Sequence, residues 1–307
     1  MASSGGTDVH HRSTIQRGPS PSGPWENNPN NPILFNGADL TNAVQDTGHA
    51  DIVQGTDGKW WGVALGHIPD VLPDVSALAP YTNNFTSDTL DNSFYFVRTP
   101  YKTFHSLTAR NGYLRLFANS YAPGDRDSAA LLLRKQTAYT ETFETRLDGF
   151  KPTTNLTEAG VSVYYGDSLH NEIGVTGGDD GRYIVVRTIV LNQQVGPWAL
   201  TTANATVITV QRYKLTTDDA NVRFKVLASP ASYSLGYAEG DNAEFAFPTM
   251  IDSSALSVAP AGGFFFKGAS FGVYNTGNGK PSLISADFKY WQQTPTTPSL
   301  NSGTFVH

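Results

Sequence analysis

Cysteine is absent from the 307 residues, which excludes disulfides and thiolate metal sites without deciding the compartment. No apolar run approaches the ~18 residues at which a membrane span is suspected, and the first residues lack the basic-then-apolar pattern of a signal peptide. Localisation therefore stays open, an extracellular one requiring a leader beyond these residues. Charged residues make up only 16% of the chain, the net charge is −6, and no long block of one sign occurs. That removes the electrostatic footprint of a nucleic-acid binder and leaves uncharged partners as better candidates. Amphipathic patterning sufficient for a helix of more than a few turns is also missing.

What is present is turn chemistry and alternation. Hydrophobic residues at 39%, aromatics at 12%, 29 glycines and 18 prolines suit a folded all-β chain. Its length allows one large or two ordinary domains. Asp57-Gly58, between Ile52-Val53 and Trp60–Leu65, predicts a hairpin, because glycine tolerates positive φ at a tight turn. From Tyr81 onward, period-two runs recur. Leu114 and Leu116 oppose Tyr113, Arg115 and Phe117; Phe143, Thr145 and Leu147 oppose Glu144, Arg146 and Asp148; Val222, Phe224 and Val226 oppose Arg223 and Lys225. Such runs, punctuated by Gly177-Gly178, Gly181, Gly262-Gly263 and Gly277, predict a β-sandwich.

The segment Thr47-Gly48-His49-Ala50-Asp51, leading through Asp57-Gly58 to Trp60-Trp61, resembles a signature of glycoside hydrolase family 43, the β-xylosidases and α-L-arabinofuranosidases. Gly5-Gly6-Thr7, His11, Arg17, Gly23-Pro24-Trp25-Glu26 and Asn31-Pro32-Ile33-Leu34 are similar to the family upstream of it. Downstream, Arg98-Thr99-Pro100, Ser106–Arg110, Gly112–Leu116, Leu133–Thr137, Glu158–Val161, Gly272–Tyr274 and Ala286–Phe288 resemble its C-terminal module. The resemblance implies an incomplete β-propeller fragment followed by a concanavalin A-like (jelly-roll) β-sandwich. The implied boundaries are a propeller segment over 1–68, a linker over 69–80, the sandwich over 81–292 and a disordered tail over 293–307.

The resemblance also implies hydrolysis of O-glycosyl bonds in xylan or arabinan. Two carboxylates standing roughly 6.5–9.5 Å apart would activate water and protonate the leaving oxygen. No position of this chain matches the family's catalytic carboxylates, and Ser4 stands where relatives carry a glutamate, so an N-terminal truncation and an inactive chain are expected. The alternative is a non-catalytic sandwich that binds or scaffolds carbohydrate. Partners would be xylo- or arabino-oligosaccharide or polysaccharide, with no nucleic acid and no membrane. No cofactor is required; calcium is the one candidate ion.

Among single residues, His49 corresponds to a family histidine associated with water-mediated calcium, to be weighed against a buried histidine satisfied by backbone. Asp51 lies two residues on, hence on the same face of an extended strand. Trp60 and Trp61 are candidate sugar platforms, as are Trp25 and Trp198. Being adjacent on a strand, Trp60 and Trp61 point to opposite sides, so one is expected in the core. His10, His11 and His67 have no metal-ligand spacing and read as surface residues. Glu141 and Glu144, three apart, read as solvated charges, and Asp287 as a surface aspartate. A Glu-x-Asp-x-Glu strand of the endoglucanase type is absent. Three glycosylation sequons begin at Asn84, Asn155 and Asn204.

Overall fold

The computed structural model describes residues 1–5, 10–36, 44–67, 79–191, 205–217, 221–256 and 268–296. The chain divides into two compact units, Met1–Val75 and Ser76–His307. The linker predicted over 69–80 falls mostly outside the described residues, as do Trp198, Asn204 and Gly262-Gly263.

The first unit is a set of short antiparallel pairs. Strand β1 (Ala2–Ser4) pairs with β2 (Arg12–Thr14), and β3 (Gln16–Arg17) with β4 (Glu26–Asn27). The predicted hairpin is β5 (Gln45–Gln54) and β6 (Trp60–His67). Its turn is built as the sequence requires: Gly58 has φ +78°, and Gly55 donates to the Lys59 carbonyl at 2.7 Å. Each sheet of this unit has two strands among the described residues, so the propeller-like part is not a closed ring.

The second unit is the sandwich. Its strands are β7 (Tyr81–Asn83), β8 (Phe94–Phe96), β9 (His105–Ser106), β10 (Leu114–Phe117), β11 (Leu131–Lys135), β12 (Glu141–Asp148), β13 (Glu158–Gly166) and β14 (Leu169–Gly178). They continue as β15 (Gly181–Leu191), β16 (Ala205–Lys214), β17 (Val222–Ala228), β18 (Ser232–Glu239), β19 (Ala246–Asp252), β20 (Ser270–Thr276) and β21 (Ser285–Pro295). One sheet runs β19-β18-β17-β12-β21-β10-β9 with β7 beside β21, and the other β16-β15-β14-β13-β20-β11-β8. Because β21 reaches Pro295, residues 293–295 are strand rather than tail; Gln293 is buried.

Alternation explains the core. Leu114, Leu116, Phe143, Leu147, Phe224, Phe288 and Trp291 meet Val161, Val163, Ile173, Val175, Ile184, Phe271 and Val273 of the opposite sheet in one hydrophobic cluster. Strand β13 is buried along its whole length, on both faces. Its outer face therefore carries a second, smaller cluster, Ala129, Leu131, Leu133, Tyr164 and Tyr274. Polar side chains of β13 and β14 on that face, Glu158, Ser162, His170 and Glu172, are consequently cut off from water, which sets the electrostatics described next.

Candidate functional site

In the first unit, the Thr47–Asp51 motif is held by the chain that precedes it. His11 is buried, contrary to the surface position expected of it, and its Nδ1 lies 2.8 Å from the Asp46 carbonyl. A Cβ on Gly48 would stand 2.4 Å from the His11 ring, so only glycine admits the imidazole there. Thr47 donates to Asn36 Oδ1 at 3.0 Å, and the Ala50 amide donates to Ser13 Oγ at 3.1 Å. The motif is thus a docking element for its own unit.

His49 itself is exposed, with φ +49°, and not the buried, backbone-satisfied histidine that was weighed. The register slips between Gln45 and Gly48 and again between Gly48 and Asp51, each time placing an extra residue in β5. These bulges break the two-residue period, so His49 and Asp51 are not the same-face pair that an extended strand would give. Both are exposed, and no group of three or more His, Cys, Asp or Glu able to hold an ion occurs among the described residues.

Trp60 and Trp61 are 64% and 61% exposed, so neither is core. The physical reason is that β5 and β6 form a two-stranded sheet: opposite faces exist, but at the turn end, where Trp60 and Trp61 lie, no described layer covers either one. Trp25 is exposed as well and lines a shallow groove with Arg17, Pro19, Pro24 and Glu26. The side chain of His67 lies outside the described residues; His10 is exposed as expected.

In the second unit, two charges read as solvated are buried and a third is partly covered. Asp287 is buried and accepts from Arg115 Nε at 2.7 Å, Arg115 Nη2 at 2.8 Å and Arg110 Nη1 at 2.8 Å. Burial works against its charge, yet the bonds from Arg115 and Arg110 prevail and hold the carboxyl below 3.8. Glu141 is buried too, accepting from the Thr137 amide and hydroxyl at 2.8 Å each. Glu144 is partly covered, 2.8 Å from Lys225 Nζ and accepting from Tyr290 at 2.8 Å. The opposite facing of Glu141 and Glu144 follows the period; what alternation alone does not show is that each finds donors.

A larger network lies on the outer face of the β13 sheet, and sequence reasoning passed over it. Glu158 (β13) is fully buried and receives Arg187 Nη1 at 2.5 Å, Arg187 Nη2 at 2.6 Å and the Tyr274 hydroxyl at 2.5 Å. Glu172 (β14), also buried, lies 3.4 Å from Arg187 Nη1 and 2.9 Å from His170 Nδ1. Burial raises the Glu172 pKa, but His170 and then Arg187 outweigh it and bring the carboxyl below its ordinary 4.5. Burial likewise pushes Tyr274 well above 10, and the charge of Glu158 adds to it. Charged residues at same-face positions of three successive strands, Glu158, Glu172 and Arg187, were the signal that could have revealed this cluster.

The network contains a serine, a histidine and a carboxylate on one face, as acyl-transfer sites do. Its geometry is wrong for that chemistry. Ser162 Oγ and His170 Nε2 are both buried without a hydrogen-bond partner among the described residues, so no nucleophile–base bond joins them. Next to it, a 320 Å³ cleft is lined by Tyr95, Arg98, Lys135, Tyr164, Asp167 and Ser270, among others. Its carboxylate, Asp167, is 3.0 Å from Arg126 and 3.5 Å from Arg98.

A pH dependence follows from Glu172 and Asp287. Their folded-state values lie below the unfolded ones, so the unfolded chain binds more protons as acid is added. The stability they contribute is present above about pH 4.5 and is lost as pH falls through the depressed values. The melting midpoint is expected to hold from pH 7 to about 5 and then fall. Glu172→Gln should flatten that acid limb; a limb of unchanged slope in this variant would refute the assignment.

With the geometry established, the comparisons decide the family. Residues 82–294 match the family model of the beta xylosidase C-terminal concanavalin A-like domain, and residues 1–82 match glycosyl hydrolases family 43. The chain belongs to glycoside hydrolase family 43. A non-reducing end alpha-L-arabinofuranosidase of Bacteroides ovatus is 28% identical over 95% of this chain and 59% of its own length. A beta-xylosidase of Bacillus subtilis is 26% identical over 62% of this chain and 45% of its own length. The chain thus spans about three fifths or less of these two family 43 relatives. Among solved structures, the xylan beta-1,4-xylosidase of Bacillus halodurans superimposes with a TM-score of 0.71 at 20% identity, over 95% of this chain and 61% of that one. The Bacteroides ovatus xyloglucan-locus family 43 protein gives 0.70 at 24% identity, over 96% and 62%. These likenesses place the two-part, all-β architecture within the family.

Proposed function

We propose that this family 43 chain serves the breakdown of xylan- or arabinan-type plant cell-wall polysaccharide, engaging xylo- or arabino-oligosaccharide without hydrolysing it by itself. The structural observation that bears on this reading is the state of the sandwich carboxylates. Hydrolysis with inversion needs two carboxyls roughly 6.5–9.5 Å apart, one free to take a proton from water and one free to give a proton. Glu158 and Glu172 are committed to Arg187, Asp287 to Arg115 and Arg110, and Asp167 to Arg126 and Arg98. None of these is paired with a second uncommitted carboxylate across a cleft. The family relationship supports the substrate class; the engaged carboxylates support only that these sandwich residues form no acid–base pair of their own, and the expected absence of turnover rests on the unmatched catalytic positions.

The same reading assigns the chain no required metal. Purified chain should release no nitrophenol from aryl xylosides or arabinofuranosides above the buffer rate, because each missing acid or base forfeits about 10²–10⁴-fold. Calcium should leave both that rate and the melting midpoint unchanged, a ligand stabilising only what it binds preferentially. Retarded migration in gels containing arabinoxylan is the expected sign of binding. Turnover well above the blank, abolished by one carboxylate substitution, would overturn the proposal; neither turnover nor retardation would favour a scaffolding role.

A further inference from the structure

A 610 Å³ groove opens on the sandwich between the loop 153–155 and the turn 178–180, and it is lined as well by Tyr183 of β15 and Arg212 of β16. Ile184 enters the core, so its neighbour Tyr183 stands on the outer face of the sheet, and Arg212, next to Val185 across the ladder, shares that face. All of the lining residues belong to the second unit. The loop follows the end of β12, whereas Tyr81, with which β7 begins, is level with Phe143 near the other end of that strand.

The walls of the groove are fixed by its own bonds. Gly177 donates to the Thr154 carbonyl at 3.1 Å, and a Cβ there would stand 2.8 Å from the Pro152 and Thr154 carbonyls, so the loop rests directly on the sheet. Gly178 admits the Tyr183 ring, which a Cβ would meet at 2.5 Å. The Tyr183 hydroxyl donates to Asp180, and Lys214 Nζ lies 2.6 Å from the same carboxylate. Arg212 donates to the Gly177 carbonyl at 2.9 Å, with its guanidinium 5.0 Å from the Tyr183 ring centre. Three polar side chains of the lining remain uncommitted. Thr153, Asn155 and Asp179 are exposed and have no hydrogen-bond partner among the described residues.

We propose that this groove binds a short neutral stretch of xylo- or arabino-oligosaccharide, an assignment that rests on the proposed engagement of such sugars by the chain. Its charges cancel, Asp179 and Asp180 standing against Arg212 and Lys214, a balance that favours neither a phosphate nor an ammonium group. What it offers instead is mixed hydrogen bonding at close quarters: a carboxylate that only accepts, a guanidinium that only donates, and an amide and a hydroxyl that do both. Adjacent sugar hydroxyls, each a donor and an acceptor, match that set, and the partly exposed Tyr183 ring gives the C–H groups of the sugar an apolar surface. Because Tyr183 and Arg212 are held before anything binds, little ordering cost opposes binding. The volume falls within the roughly 300–1,000 Å³ of ordinary ligand sites.

Calorimetric titration of the full chain with xylohexaose and arabinohexaose makes the test. Asp179→Ala should weaken binding roughly tenfold or more, as the loss of a hydrogen bond to a charged group does. Asp179→Asn, which keeps an acceptor, should recover part of that loss. Both variants alter an exposed, uncommitted side chain, so their melting midpoints should match that of the unaltered chain. Inorganic phosphate should not compete. Unchanged affinity in Asp179→Ala would overturn the groove while sugar engagement itself stood, and displacement of the sugar by phosphate would overturn it by revealing an anion site. Absence of binding by the unaltered chain would remove the engagement, and the groove with it.

Discussion

Arg187→Met is expected to lower the melting midpoint of the sandwich by roughly 6–20 °C, the equivalent of about 3–5 kcal/mol for a unit of this size. The guanidinium touches both Glu158, at 2.5 and 2.6 Å, and Glu172, at 3.4 Å. Removing it leaves two buried carboxylates whose remaining partners among the described residues, Tyr274, Asn278 and His170, carry no fixed positive charge. Isolated buried charge is costly, whereas an ion cluster replaced as a whole by neutral groups of similar shape is often tolerated. Combining Arg187→Met with Glu158→Gln and Glu172→Gln should therefore recover most of the loss. Arg187→Lys should fall between, since an ammonium keeps the charge but not the two-pronged contact with Glu158. A loss below about 1 kcal/mol in the single variant would show that water reaches the network and that its burial has been misread. Differential scanning calorimetry at pH 7 makes the measurement.

Trp291→Ala should cost a comparable amount, about 3–5 kcal/mol, for a different reason. The indole is fully buried on β21, edge-on to Phe94 at 5.0 Å and tilted against Phe143 at 4.4 Å. Its Nε1 donates to Gln293 Oε1 at 2.8 Å, and the same oxygen accepts from Arg134 at 2.6 Å. Truncation would open a cavity between β21 and β8 and loosen that polar contact together with the packing. Trp291→Phe keeps most of the volume and should lose less than half as much. Chemical denaturation followed by tyrosine and tryptophan fluorescence distinguishes the two, and equal losses would place the cost in the hydrogen bond instead of the cavity.

Local sequence determined a good deal of this protein. The Asp57-Gly58 turn specified the β5–β6 hairpin because a positive φ at Gly58 is cheap. Period-two runs in β10, β12 and β17 specified which side chains enter the core, since alternation is a property of the strand itself. The motif residues around Thr47 and Gly272 were enough to indicate the family and the order of its two parts, which the family models match over residues 1–82 and 82–294.

What the sequence could not decide was how many layers cover each face. Asp287, Glu141, Glu158 and Glu172 all alternate correctly, and each would be an ordinary surface charge if its face met water. Tertiary packing removed the water; arginines distant in sequence then supplied the countercharge to Asp287, Glu158 and Glu172, while Thr137 and Gln293 donate to Glu141. The reverse holds for Trp60 and Trp61: the pattern promised one buried ring, but burial needs a neighbouring layer, and a two-stranded sheet provides none. His11 and His49 exchanged their expected places because Gly48 admits one imidazole against the backbone while the bulges of β5 turn out the other. Periodicity is fixed by bonds between neighbours in the chain, whereas burial depends on contacts between residues far apart in it.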